Sequence, residues 1–237
     1  MLPSGQPIPT AQAATTLPQV DLRDMRLWNW GGKWIGSQWN NNFSTIPWRF
    51  DHIVRKGNGD IAMVLDPAGA PELQAGGGQA AHSSGLWETE VTLPPMRDGL
   101  VVAPLWLYDT TSKEEVDFEF PGRNGLDVSL HTYPNGVHTR TSTKLFSGQN
   151  FSGKRVRFGI RINQATKHID MLVNGVVAHS WDGATTKSMP SHAMKPWLET
   201  WAANPSNSGF VGWAGKWTGV SASTPVVLTV HGYGYAP

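Results

Sequence analysis

The chain has 237 residues, of which 39% are hydrophobic and 16% charged, a balance that excludes a disordered polypeptide and fits one β-domain. Its 26 glycines and 17 prolines argue against a helical bundle, and the absence of cysteine excludes disulfides, thiolate nucleophiles and cysteine zinc sites. The net charge of +1 and the lack of a long apolar segment argue against nucleic acid or a membrane as partner. The 12 tryptophans indicate an aromatic interior or a groove for ring-shaped ligands such as sugars.

The first 20 residues are rich in proline, alanine, threonine and glutamine without any period. We expect an extended or disordered arm over 1–20, followed by a single domain over 21–237. The arm has neither the charged region nor the apolar region of a signal peptide, but a trimmed leader would leave the same sequence. Secretion therefore stays open at this point.

Beyond the arm, short segments of alternating polar and apolar residues recur between glycine, asparagine, aspartate and proline. They predict strands over 50–55, 60–65, 86–93, 100–108, 115–120, 126–132, 155–162, 167–173, 176–180, 197–202 and 225–232. Asn174-Gly175 predicts a β-hairpin, and Pro134-Asn135-Gly136 predicts a second turn. So many antiparallel strands require two packed sheets or a closed barrel, and we favour a jelly-roll sandwich.

The segment 115–120 alternates acidic and apolar residues without exception, so Glu115, Asp117 and Glu119 share one face of the strand. Carboxylates about 6 to 7 Å apart along a strand repel one another, and no lysine or arginine lies among them. A solvated polar face would explain one or two acidic residues. Three in line indicate a functional site.

Hydrolysis of a glycosidic bond with retention needs a carboxylate nucleophile and a carboxylic acid about 5 to 5.5 Å apart. The Cα atoms of Glu115 and Glu119 would lie about 13 Å apart, so a curved strand must bring their side chains together. Asp117 between them would hold the nucleophile and raise the pKa of the acid. A calcium site is the competing hypothesis, but calcium ligands usually come from a loop that wraps the ion. Spacing alone does not say which glutamate attacks.

The sequence Glu115-Val-Asp-Phe-Glu-Phe-Pro-Gly122 resembles the active-site strand of glycoside hydrolase family 16 in its bulge-free Glu-x-Asp-x-Glu form. Weaker similarity lies in 85–99, 131–136, the 174–175 hairpin and 197–201, so the resemblance covers roughly 50–235. It implies an all-β, concanavalin-like jelly-roll sandwich of two antiparallel sheets with a β-glucan cleft. It also implies that Glu115 is the nucleophile, Glu119 the general acid/base and Asp117 the assisting carboxylate.

The candidate substrate-binding residues are aromatic, histidine or acidic side chains on strands beside this motif: Trp106, Tyr108, His131, Tyr133, Trp197, Glu199 and Trp201. His131 and Glu199 stand where lichenases of the family have asparagine, which leaves the substrate open. We expect Trp28, Trp30, Trp34 and Trp39 to have structural roles.

The resulting hypothesis is a retaining endo-β-glycosidase acting by double displacement on a β-glucan, with mixed-linkage β-1,3-1,4-glucan as the leading substrate. A decorated bacterial exopolysaccharide is the alternative substrate, while a transglycosylase and a non-catalytic carbohydrate-binding module are the alternative functions. We expect a monomer, secreted or periplasmic, whose partner is a polysaccharide. No cofactor or metal enters the chemistry, and the resemblance leaves room for a structural calcium ion on the convex side.

Overall fold

The computed structural model describes residues 7–10 and 32–237, which contain fourteen strands and one α-helix. The strands are β1 (Trp34–Gly36), β2 (Ile53–Arg55), β3 (Ile61–Leu65), β4 (Glu72–Ala75), β5 (Gly85–Thr92), β6 (Leu100–Tyr108), β7 (Glu115–Pro121), β8 (Leu126–Thr132), β9 (Thr139–Leu145), β10 (Arg155–Asn163), β11 (His168–Val173), β12 (Val176–Asp182), β13 (Lys195–Ala202) and β14 (Val226–Ala236). The helix is α1 (Ser208–Ala214), and 3₁₀ turns cover Phe50–His52 and Pro134–Gly136.

These strands form two seven-stranded sheets with antiparallel pairing throughout the ladders. The front sheet has the order β1-β4-β13-β6-β7-β8-β9, and the back sheet has the order β12-β11-β10-β5-β14-β3-β2. Every sequence-predicted strand corresponds to a strand of one of these sheets. The predicted all-β sandwich of two antiparallel sheets is confirmed.

The core lies between the two sheets and explains the alternation in β7. Val116, Phe118 and Phe120 are each at most 1% exposed, and the rings of Phe118 and Phe120 lie 5.2 and 5.7 Å from that of Phe158 on the back sheet. Burial of such side chains contributes about 1.5–3 kcal/mol each. Because the apolar residues of β7 face the core, its acidic residues face away from it.

The turn chemistry agrees with the prediction. Asn174 and Gly175 connect β11 to β12 with φ values of 51° and 78°, as a type I′ hairpin turn requires. Asn174 also donates a hydrogen bond of 2.6 Å from Nδ2 to the carbonyl of Pro9, and Ile8 packs against the core. Residues 7–10 therefore lie against the β11–β12 turn, while the rest of the predicted arm, and Trp28 and Trp30, lie outside the described residues.

Trp34 and Trp39 have the packing expected of structural residues. Trp34 is fully buried, with its ring edge-on to Tyr233 at 4.9 Å, and Trp39 is half-buried against the core. In the part of the chain that the structure describes, no helix has the length and apolar character needed to cross a membrane.

Candidate active site

Three neighbouring strands of the front sheet place polar side chains in register on the face away from the core. The directly opposed residues form three rows across β7, β8 and β9: Glu115–His131–Arg140, Asp117–Ser129–Ser142 and Glu119–Asp127–Lys144. Opposed residues of an antiparallel pair point to the same face. The three predicted catalytic carboxylates therefore share this face with a histidine, an arginine, a lysine and a further aspartate.

The three carboxylates of β7 are largely shielded from water. Asp117 is 2% exposed, the Glu115 side chain is 26% exposed, and Glu119 is half-buried. No N–H or O–H donor among the described residues reaches either Asp117 oxygen. The hydrogen-bond partner of a protonated Asp117 is the neighbouring carboxylate of Glu115.

Burial raises the pKa of all three carboxyls, and repulsion by neighbouring carboxylates adds to this for Asp117 and Glu119. Burial raises the pKa of Glu115 to about 7, against the opposing effect of the hydrogen bond from Asp117. Burial, followed by the charge of Glu115, raises the pKa of Glu119 to about 8. Burial and both glutamates raise the pKa of Asp117 well above its usual value. The site thus holds buried glutamates whose raised pKa values lie near neutrality, the range in which a carboxyl can act as an acid or a base at pH 7.

His131 joins the carboxylates to an exposed aromatic edge. Its Nε2 lies 3.4 Å from Asp117 Oδ2 and 3.8 Å from Glu115 Oε1, and its Nδ1 lies 2.9 Å from His138 Nε2. Burial and the neighbouring cation of Arg140 lower the pKa of His131 to about 4, so its imidazole is neutral at pH 7. Tyr133 stacks on His138 at 5.0 Å. Two of the predicted binding residues, His131 and Tyr133, therefore lie on the β8 side of the motif.

An aromatic cluster occupies the opposite side of β7. Trp106 lies directly opposite Asp117, and Tyr108 lies directly opposite Glu115. The Trp106 ring is 5.4 Å from that of Tyr108 and 5.1 Å from that of Trp197 on β13. The structure therefore brings Trp106, Tyr108 and Trp197 together, next to the carboxylates.

Glu199 is part of a carboxyl pair that the sequence analysis did not foresee. It lies directly opposite Glu72 of β4, which is 5% exposed and accepts a hydrogen bond from the Ser37 hydroxyl. The Gln74 amide donates to that hydroxyl at 2.9 Å. The only signal for Glu72 was the polar alternation of Glu72 and Gln74 between a proline and a glycine.

Trp201 lies behind an aromatic wall. It is 5% exposed, and its ring lies 5.2 Å from Phe43, 5.6 Å from Phe210 and 6.2 Å from Trp213. Phe210 and Trp213, both on α1, pack against the Trp201 ring and also line the open cavity beside Glu119. The aromatic surface near Glu119 is therefore supplied by α1, whose two glycines in seven residues hid it from pattern analysis.

The wall and Glu119 border an open cavity of about 330 Å³, which is lined by Glu119, His131, Arg140, Asn207, Gly209, Phe210 and Trp213. Asn207 caps α1 by accepting hydrogen bonds from the backbone of Gly209 and Phe210. Another cavity, of about 310 Å³, lies near Phe120, Arg123 and Asn150 and has no carboxylate in its lining. The chemistry of the front sheet therefore belongs to the first cavity.

Among the described residues, one group could hold a cation. Ligand atoms of Glu115, Asp117 and His131 lie within 4.8 Å of one another. Calcium takes six to eight oxygen ligands, and a two-carboxylate set with an imidazole does not fit it. The structural calcium ion for which the family resemblance leaves room on the convex side would be a different site from this group.

A match to a known family spans most of the chain, including every row of the site. The family model of glycosyl hydrolases family 16 matches residues 40–219. The chain belongs to glycoside hydrolase family 16. This enzyme is therefore a glycoside hydrolase, and the resemblance carried by residues 115–122 is confirmed.

Relatives of the enzyme agree in sequence and in fold. A β-glucanase of Bacillus licheniformis is 24% identical over 198 residues, which cover 81% of this chain and 75% of that protein. A solved structure of Bacillus licheniformis β-glucanase has a TM-score of 0.68 at 20% identity and covers 89% of this chain and 94% of that one. A transglycosylase in complex with NAG has a TM-score of 0.60 at 16% identity, with 86% and 83% covered. At such identities the solved structures show the fold alone.

Proposed function

We propose that the enzyme is a retaining endo-β-glycosidase that hydrolyses a β-glucan, with mixed-linkage β-1,3-1,4-glucan as its leading substrate. The observation that carries the proposal is the shared face of Glu115, Asp117 and Glu119, where burial raises the pKa of both glutamates. The similarity to proteins named β-glucanase supports the substrate class.

In the first step, a Glu115 oxygen forms a bond to the anomeric carbon while the bond from that carbon to the leaving oxygen breaks. The proton held by Glu119 moves to the leaving oxygen. In the second step, a water oxygen attacks the same carbon, its proton returns to Glu119, and the bond to Glu115 breaks. Two inversions at one carbon give net retention.

In the proposed mechanism, Asp117 favours the ionised form of Glu115 before attack. Protonated Asp117 donates a hydrogen bond to the Glu115 carboxylate and opposes the burial that would otherwise keep Glu115 protonated. This contact orients the attacking oxygen and leaves its charge available for the anomeric carbon.

The sugar chain crosses β7, because candidate binding residues lie on both of its sides. Trp106 and Trp197 offer apolar ring surface on the β6 and β13 side, which suits the flat faces of sugar rings. Neutral His131 on the β8 side offers a hydrogen-bond donor and an acceptor to hydroxyls. Tyr108, Tyr133 and Glu199 complete the proposed binding set around these residues, and Trp201 acts by supporting α1.

The chemistry needs carboxyl groups and water, and we assign it no cofactor. Because a polymer substrate is too large for uptake, we propose that the enzyme is secreted or periplasmic. We also propose that it is a monomer and that it has no nucleic-acid or membrane partner.

The test is a polysaccharide panel with reducing-end detection, covering mixed-linkage β-glucan, β-1,3-glucan, xyloglucan and a decorated bacterial exopolysaccharide. We expect release of reducing ends from mixed-linkage β-glucan, with the β-anomer as the first product in ¹H NMR. Products longer than the starting oligosaccharide in mass spectrometry would identify a transglycosylase. Binding without cleavage on the whole panel, or a first product of α configuration, would overturn the proposal.

A further inference from the structure

Asp127 of β8 stands in an unfavourable place for a charged residue. It lies directly opposite Glu119 of β7, on the same face of the front sheet, and it is 7% exposed. Like charges directly opposite each other on neighbouring strands destabilise a sheet. A negative charge at this position therefore needs a reason.

One oxygen of Asp127 holds the aromatic wall of the cavity. Its Oδ2 accepts a hydrogen bond of 2.7 Å from Nε1 of Trp213, the α1 residue that lines the cavity together with Glu119. The other oxygen, Oδ1, has no hydrogen-bond donor among the described residues, and Lys144 Nζ lies 3.9 Å away from it.

The hydrogen bond to Trp213 does not by itself require a charge. An asparagine oxygen accepts the same bond from an indole N–H and avoids repulsion with Glu119. An asparagine could not replace the negative charge of Asp127. The residue directly opposite this charge on β7 is Glu119.

We propose that Asp127 is a positioning residue for the acid/base Glu119: it fixes the Trp213 wall with one oxygen, and its charge keeps the proton on Glu119 until the leaving group takes it. The inference rests on the proposed function, in which Glu119 is the proton donor. The charge of Asp127 contributes to the raised pKa of Glu119, as this arrangement requires.

Other charged or titratable groups also face Glu119. Among the described residues they are Glu115 and Asp117 on β7, His131 on β8, Arg140 and Lys144 on β9, and Glu199 on β13. Arg140 lowers the pKa of Glu119, against Glu115 and Asp127. Lys144 lies directly opposite Asp127 and partly offsets its charge. Asp127 should therefore raise the titration midpoint of Glu119, and Lys144 should lower it.

The experiment is a ¹³C NMR titration of the full chain labelled at glutamate Cδ, with the Glu119 signal assigned through Glu119→Gln. Asp127→Asn keeps the acceptor for Trp213 and removes the charge, and we expect the Glu119 midpoint to fall by about half a pH unit or more. Lys144→Met should raise the midpoint. Trp213→Phe, which removes the N–H donor and part of the ring but no charge, should leave it in place.

The pH dependence of kcat/KM on mixed-linkage β-glucan should repeat these shifts in its alkaline limb. An Asp127→Asn midpoint that matches the parent within fitting error overturns the proposal. Lys144 is 44% exposed, so Lys144→Met changes the charge balance at Asp127 without disturbing the core. If Asp127→Asn does not fold, an unmoved Glu119 midpoint in Lys144→Met overturns the proposal instead. Glu119→Ala separates the two proposals, since full activity in that variant refutes the role of Glu119 whatever Asp127 does.

Discussion

Glu72 on β4 lies directly opposite Glu199 on β13, and the two carboxyls share a hydrogen bond. Burial raises the pKa of Glu72 to about 7 and that of Glu199 well above its usual value. A single proton between two buried oxygens removes the repulsion that two opposed carboxylates would have. The pair is therefore stable when protonated and strained when both groups ionise.

This pairing predicts that the enzyme loses stability as pH rises. In the unfolded chain these carboxyls ionise near pH 4.5, whereas in the folded chain Glu72 keeps its proton to about pH 7. The stabilising contribution is complete below about pH 4.5 and is lost as pH rises through 7, because the folded state binds more protons. Thermal unfolding should show a Tm several degrees lower at pH 8 than at pH 5, at about 2–4 °C per kcal/mol.

Glu199→Gln should reduce this dependence, since the amide keeps a hydrogen bond to Glu72 and removes one titrating group. Glu90→Gln, on the back sheet, is the matched control and should keep the parent's dependence. The same slope of Tm against pH in Glu199→Gln and in the parent would contradict the interpretation of the pair.

The contrast between Glu119 and Glu72 shows what the sequence could predict. Strand β7 alternates fully over six residues, so the face shared by its carboxylates followed from periodicity. Strand β4 alternates over only four residues, too few to predict a strand, and its pairing with β13 joins residues far apart in the chain. Long-range register of this kind is not encoded in a local pattern.

The sequence patterns also did not predict the cavity wall on α1 or the polar residues of β9 that face the site. Asp127 lay within a predicted strand, four residues before His131, so the face that the two residues share was predictable. Its hydrogen-bond donor Trp213 was not predictable. Strand β9 is polar along both faces because it is the edge of the front sheet, and this concealed Arg140. The place of Trp201 on a strand was predictable from alternation, but the helix that covers it was not.

Removal of each glutamate that we propose to be catalytic should give a different stereochemical result with azide. Glu115→Ala lacks the nucleophile, so azide attacks the substrate directly and gives the α-glycosyl azide from an activated aryl β-glycoside. Glu119→Ala still forms the glycosyl-enzyme, and azide then gives the β-glycosyl azide. Both variants should lose about 100-fold or more in kcat/KM on mixed-linkage β-glucan. The same azide anomer from both variants, identified by ¹H NMR, would contradict the two roles.

The pH dependence of the parent enzyme follows from the same groups. In the proposed mechanism, activity requires Glu115 ionised and Glu119 protonated, so kcat/KM should be bell-shaped with its maximum between about pH 7 and about pH 8. Arg140 lowers the pKa of both glutamates, so Arg140→Met should move both limbs of the bell to higher pH. Arg155→Met, on the back sheet, should leave the bell in place, and a shift of only one limb in Arg140→Met would refute its effect on both groups.

The end of β7 lies so close to α1 that a substitution outside the cavity should change the cavity wall. Gly122 follows β7 with a φ of 64°, and a Cβ there would clash with the carbonyl oxygen of Ala214, the last residue of α1. That same oxygen accepts a hydrogen bond of 2.7 Å from the backbone of Gly99. Gly122→Ala must therefore displace the end of α1 and, with it, Trp213.

Gly148 provides the matched control for that displacement. It has a φ of 76°, and a Cβ on it would have no neighbouring atom within 4 Å, so Gly148→Ala measures the backbone cost alone, about 1–2 kcal/mol. Gly122→Ala should lower the Tm by more than Gly148→Ala does and should raise KM for mixed-linkage β-glucan several-fold. Gly148→Ala should leave KM unchanged. Equal Tm losses in the two variants, with KM unchanged in both, would show that the contact between Gly122 and Ala214 does not position the wall, because only the clash distinguishes the two substitutions.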